Sequence, residues 1–238
     1  MRRLTVCLLA LLACGEATPK ADRGTEDATP SDPPATAEAI ERPEERLDTI
    51  RIEGMPEPVR LRLFQTGDDF PLRFSAYVPA DMATEADRTD STASVHIRAD
   101  FGGVRDTDAY LHLFVHPAGT GRQEALAAAH GYVASRGVPV SQGIGDPGAA
   151  GAAARMPWAI ESWTFRYQSD GDSFVGSVGV GQREGRLYQL VRHYPAEYGD
   201  GFGPRAALVE ATWRWVDGSP LREAEPSPGP GGGASRDG

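Results

Sequence analysis

The chain has 238 residues, with 24 Lys or Arg against 34 Asp or Glu, a formal net charge of −10 at neutral pH. Lysine occurs only at position 20 and no basic stripe is present, which disfavours nucleic-acid binding and adhesion of the folded part to an anionic membrane. Both cysteines, Cys7 and Cys14, fall at the start of the chain, leaving nothing downstream for a disulfide framework or a cysteine nucleophile.

Arg2 and Arg3 precede an apolar run from Val6 to Ala13. That run is far short of the about 20 residues a spanning helix needs, and reads as a secretory signal over residues 1–13. Its end, Leu11-Leu12-Ala13-Cys14, resembles the bacterial lipobox. The resemblance implies lipid attachment at Cys14, removal of Cys7 with the signal and a place in the bacterial envelope. Gly15 rather than Asp after the cysteine favours the outer membrane. The alternative is a soluble secreted protein with an incidental cysteine at its cleavage site.

Residues 14–48 form an expected disordered tether. From Gly15 to Asp48, ten acids face four bases, Pro and Ala abound, and Ile40 and Leu47 are the only large aliphatics. Such a composition buries too little apolar surface to offset its ordering entropy, and as a flexible chain it averages roughly 30–35 Å end to end. A second low-complexity tail covers residues 225–238. One domain is expected over residues 49–224.

Within that domain TIRIEG and VRLRLFQ alternate in period two around Met55–Pro58, a hairpin pattern. Strands follow at Phe74–Val78, over SVHIRADF and over AYLHLFVH. Gly121 to Ala134 reads as a helix with Leu126, Ala129 and Val133 on one side, stopped by Gly137 and Pro139. Three more strands, WAIESWTFRYQ, SFVGSVGVG and GRLYQLVRHY, are separated by Asp170-Gly171 and Glu184-Gly185 turns. A last helix is expected from Gly203-Pro204 through Trp213 and Trp215. Tight hairpins with segregated helices predict an α+β domain: an antiparallel sheet of about six or more strands, two main helices and an added N-terminal hairpin.

Tyr77-Val78-Pro79, Glu124-Ala125-Leu126, the meandering strands and Tyr194-Pro-Ala-Glu-Tyr198 before a helix ending in Trp-Arg-Trp are similar to the PsbP-like family, which includes bacterial DcrB-like lipoproteins. The resemblance covers roughly residues 70–216 and implies an α/β/α sandwich with an accessory or binding role and no catalytic residues to transfer.

The residues offer few chemical sites. Gly143-x-Gly145-x-x-Gly148 lacks the strand and helix that a phosphate cradle needs, and reads as a loop. His112 and His116, four residues apart on a strand, sit about 13 Å apart, too far to share a metal; no metal or cofactor is expected. Asp170-Gly-Asp172 reads as a hairpin turn rather than a calcium loop. Two features are wagered as ligand or partner surface. The first is Gly201, Gly203 and Arg205 at a helix N-terminus, suited to an anion. The second comprises Trp158, Trp163, Trp213 and Trp215, with one of the last pair expected in the core and the other partly exposed. The reading is a lipid-anchored, non-enzymatic envelope module that binds a protein partner. Alternatives are a small-ligand or carbohydrate binder with an aromatic cleft, and a hydrolase using carboxylates such as Glu161 or Glu197.

Overall fold

The computed structural model describes residues 42–136, 139–142 and 156–221. The chain divides into two units, Met1–Glu38 and Ala39–Gly238, and every described residue belongs to the second. The strands are β1 (Glu45–Ile52), β2 (Met55–Gln65), β3 (Phe74–Pro79), β4 (Met82–Arg88), β5 (Ala93–Phe101) and β6 (Val104–Val115). Helix α1 (Arg122–Ser135) follows, then β7 (Pro139–Gln142), β8 (Glu161–Ser169), β9 (Asp172–Arg183) and β10 (Arg186–Pro195). A 3-10 turn at Ala196–Tyr198 leads into α2 (Gly199–Thr212) and the short β11 (Arg214–Trp215). All pairings are antiparallel, in a four-stranded sheet ordered β1-β2-β3-β11 and a seven-stranded sheet ordered β4-β5-β6-β10-β9-β8-β7. The domain is therefore α+β as expected, but the N-terminal hairpin is half of a second sheet rather than an appendage.

Hairpin turns punctuate both sheets. Glu53-Gly54, Gly102-Gly103, Asp170-Gly171 and Glu184-Gly185 all take positive φ at both positions, the conformation that matches the twist of the flanking strands. The first turn is a correction: it sits at Glu53-Gly54, and Met55–Pro58 belong to β2. Pro56 and Pro58 face Arg51 and Thr49 in β1. With Ile52 and Met55 closing a two-residue turn, these are non-hydrogen-bonded pairs, so β1 loses no bond to the missing proline N–H. On its other side β2 meets β3 only from Leu61 onward.

The domain also begins earlier than composition suggests. Arg42 and Pro43 are already anchored and β1 starts at Glu45, inside the stretch expected as tether. Even-numbered β1 residues point inward, Ile50 being buried with Val59, Leu61 and Tyr77 in a small core. Residues 14–41 and the 225–238 tail lie outside the described residues.

The main core fills the space between one face of the larger sheet, β3 and α2. Its spine is a run of aromatic rings. Trp213 stacks on Phe74 with centroids 3.7 Å apart, Trp215 meets Trp213 at 5.7 Å and Tyr188 at 5.3 Å, and Tyr188 stacks on Trp158 at 5.4 Å. Glycines in β9 make room for it: a Cβ at Gly181 would stand 2.4 Å from the Tyr188 ring, and one at Gly179 would stand 2.6 Å from the Met156 sulfur. A second core under α1 packs Ala125, Ala129 and Val133 on Trp163, Phe165, Val178, Val180, Leu187 and Val191 of β8–β10.

Helix α2 departs from expectation at both ends. It starts at Gly199, so Pro204 lies inside it and leaves the Asp200 carbonyl without an in-helix donor. It ends at Thr212 because Arg214 and Trp215 pair with β3. Trp213 and Trp215 are thus spaced on extended backbone, point the same way and are both buried, at 1% and 4% exposure. Beneath the helix, Arg192 of β10 and Glu210 form a buried ion pair.

Replacing Gly181 by Ala forces the Tyr188 ring off a site closed by Trp158 and Trp215. The urea midpoint should fall, with about 1–3 kcal/mol of stability lost; an unchanged midpoint would show that the ring relaxes freely.

Candidate anion-binding groove

Between β1 and α2 runs an open groove of about 780 Å³. One wall is a helical stripe, Pro204, Ala207, Leu208 and Ala211, spaced to share a face of α2. The other comes from residues 42–51 and carries Arg42, Arg46 and Arg51; Arg214 closes the far end. Asp48 is the one carboxylate among the described lining residues. On a chain of net charge −10, four guanidiniums against one carboxylate invert the local sign.

Tyr77 organises these cations. Its ring, only 2% exposed, has the Arg42 guanidinium 4.5 Å and the Arg46 guanidinium 4.3 Å from its centroid, and its hydroxyl donates to the Pro43 carbonyl at 2.8 Å. Desolvated cation–π contacts of this kind contribute about 0.5–2 kcal/mol. Arg42 donates to Ser75 Oγ at 2.6 Å and to the Thr212 carbonyl at 2.8 Å. Arg214 donates to the carbonyls of Ala211 at 3.1 Å and Trp213 at 2.6 Å. The helix C-terminus thus holds two cations by its free carbonyls, where its dipole favours positive charge. Burial lowers the Arg42 pKa; Tyr77 opposes this, and the like charges of Arg214 and Arg46 add to it.

Not all of this charge is spent internally. Arg46 pairs with Asp48 at 2.8 Å with both side chains over a third exposed, a geometry worth about 0–1 kcal/mol. Its Nε is buried with no hydrogen-bond partner among the described residues. Arg51 is exposed and among the described residues reaches only the Gly54 carbonyl, at 3.0 Å. Arg42, Arg51 and Arg214 pair with no carboxylate among the described residues. A guanidinium keeps its charge and offers five donors, so the groove can hold carboxylate or phosphate.

The sequence-predicted anion site lies nearer the other end of α2 and is corrected. Arg205 is 8% exposed and its donors go to Asp81 Oδ2 at 2.8 Å and to the Gly201 carbonyl at 2.9 Å. Gly203 is buried. The guanidinium ties the helix to the turn between β3 and β4 and offers an incoming anion little. The aromatic surface is corrected as well: Trp158, Trp163, Trp213 and Trp215 are each at most 5% exposed, so no tryptophan-lined cleft forms. Glu161 lies on β8 and Glu197 in the exposed 3-10 turn, neither of them in the groove. Cys14 and the Gly143–Gly148 motif lie outside the described residues.

A second polar cluster occupies the outer face of the larger sheet, beside α1. His96 and His112 face each other across β5 and β6 and stack with centroids 3.8 Å apart. Sequence reasoning missed the pair because it compared histidines along one strand. Simple hairpin register would also miss it, since β6 carries three more residues than β5 between the Arg98–Tyr110 and Asp100–Arg105 pairs. That irregularity turns the Asp108 carbonyl towards fully buried His193, which donates from Nδ1 at 2.6 Å. Nε2 then accepts from the Tyr167 hydroxyl at 2.7 Å, whose oxygen also takes an Arg136 N–H at 3.1 Å. Tyr110 and Tyr132 share a hydrogen bond at 2.8 Å alongside. Among the described residues no three His, Cys, Asp or Glu side chains come together as a metal would need.

Burial, then the neighbouring His96 and Arg98, lowers the His112 pKa to about 4, and burial also lowers His96, His116 and His193. The unfolded chain therefore binds these protons first, near pH 6.5, and stability rises with pH between about 4 and 6.5. The melting temperature should climb across that window and level off above it, with a shallower slope in His112→Phe. A pH-independent melting temperature from pH 4.5 to 7 would contradict the buried neutral imidazoles. The chain matches no protein-family model and no curated protein.

Proposed function

We propose that this protein is a lipid-anchored module of the bacterial envelope, held by Cys14, whose arginine groove binds an anionic protein partner without catalysing a reaction. The observation that carries the reading is the concentration of four guanidiniums and one carboxylate in a groove on an otherwise acidic chain. Guanidiniums bind and orient anions but do not exchange protons near neutral pH, which suits an accessory role. The lipobox-like Leu11–Cys14 supports the anchor, and the composition of residues 15–41 supports a spacer between bilayer and domain. The order strands, helix, strands, helix supports the PsbP-like assignment, which is part of this proposal. The groove lies at Arg42, where the spacer joins the domain.

Two measurements test the two halves separately. Replacing Cys14 by Ser should move the protein from the membrane to the soluble fraction; retention in the membrane overturns the anchor. A crosslinker placed at exposed Ala211, through Ala211→Cys, should capture one partner from intact envelopes. Capture should drop several-fold when Arg46→Gln and Arg51→Glu are combined and persist with the distant Arg166→Gln. Equal capture by both variants overturns the groove.

A further inference from the structure

We infer that the groove takes its partner as an extended acidic peptide that adds a strand to the outer edge of β1, an inference that rests on the anion-binding reading above.

β1 is the outer strand of its sheet. The two-residue turn sets the alternation of its ladder, in which Ile52, Ile50, Asp48 and Arg46 exchange bonds with β2, and the Leu63 N–H continues the series to the Glu44 carbonyl at 2.7 Å. Leu47, Thr49 and Arg51 therefore direct both their N–H and C=O outward. The Thr49 N–H bonds the Asp48 carboxylate at 2.8 Å; the outward backbone groups of Leu47 and Arg51 have no partner among the described residues. Residues 48–51 all line the groove, so the backbone of β1 borders it and not only one face of its side chains.

An edge strand can carry charge merely to repel other strands. β4, at one edge of the larger sheet, fits that description, with Glu85, Asp87 and Arg88 exposed. β1 differs in two respects. Leu47 is 75% exposed on it, and across the groove stands an apolar helical stripe with cations at its margins. An edge strand beside a helix is the geometry in which extended peptides are recognised, main-chain bonds supplying affinity and alternate side chains selectivity. With the alternation of β1 continued, apolar side chains on the inner face of the added strand would meet Ala207 and Leu208 beside Arg46, and carboxylates on its outer face would meet Arg51.

The probe is an acetylated, amidated peptide alternating Glu and Val over eight residues, the length of β1. It is compared with the same peptide N-methylated at alternate residues and with inorganic phosphate, each titrated against the full-length chain. The Glu–Val peptide should slow amide exchange at Thr49 and Arg51, and the N-methylated form should bind about tenfold more weakly, as loss of one or two main-chain bonds implies. Arg51→Gln should weaken both peptides alike. If the two peptides bind equally and amide exchange at β1 does not change, strand addition is wrong while the anion groove stands. If neither the peptides nor phosphate bind, or binding ignores Arg46→Gln and Arg51→Gln, the groove reading falls with it.

Discussion

The stack of Trp213 on Phe74 is the contact through which the two sheets become one domain. Phe74 belongs to the four-stranded sheet, Trp213 closes α2, and through Trp215 the same run of rings reaches Tyr188 of the seven-stranded sheet. Each such aromatic pair contributes about 0.5–1.5 kcal/mol beyond the area it buries. The run also dictates composition elsewhere. β9 must be glycine at 179 and 181 because the rings of Trp158 and Tyr188 lie where side chains would otherwise stand.

Placing Trp213 and Trp215 in this seam fixes where α2 ends, and the end of α2 builds the groove. The carbonyls freed at Ala211 and Thr212 hold Arg214 and Arg42, and Thr212 Oγ1 accepts the Tyr77 N–H at 3.0 Å. Tyr77 in turn carries the guanidiniums of Arg42 and Arg46. A core interaction and a surface charge cluster are thus two consequences of one helix terminus. The same helix keeps its inner side against Tyr194 through Phe202 and its Glu210 on buried Arg192. Such a pair costs several kcal/mol when one partner is removed and fixes how the helix sits more than it adds stability.

The histidine–tyrosine layer shows a different economy of design. His193 is wholly buried yet fully bonded, by a carbonyl that an irregularity in β6 turns inward and by a hydroxyl that Arg136 polarises. Its neutrality follows from burial, and its neighbours are arranged to accept from one nitrogen and donate to the other. Three hydroxyls and one cation surround it, with no carboxylate side chain among their hydrogen bonds to the described residues, so the cluster reads as a satisfied polar layer next to α1.

Local physics made much of the fold legible. Alternation in SVHIRADF and GRLYQLVRHY, paired turn residues such as Asp170-Gly171 and the apolar spacing of α1 are properties of a few neighbouring residues, and they determined strands, hairpins and the antiparallel α+β class. Composition missed the first residues of β1, because Glu45 and Arg46 look like tether until Tyr77 is beside them. Strand β4, MATEADR, buries only Met82 and carried no apolar alternation to read. The groove joins residues 42–51, 77 and 204–214, and the His96–His112 stack depends on a three-residue shift between strands. Neither spacing nor residue type encodes such juxtapositions, because they arise from how α2 is stopped and how β6 is irregular. The sequence by itself determined the hairpins and the apolar faces, because these are set by neighbouring residues; only the tertiary structure decided that the tryptophans are core and that Arg42, Arg46 and Arg214 meet around one helix end, because these depend on contacts between distant segments.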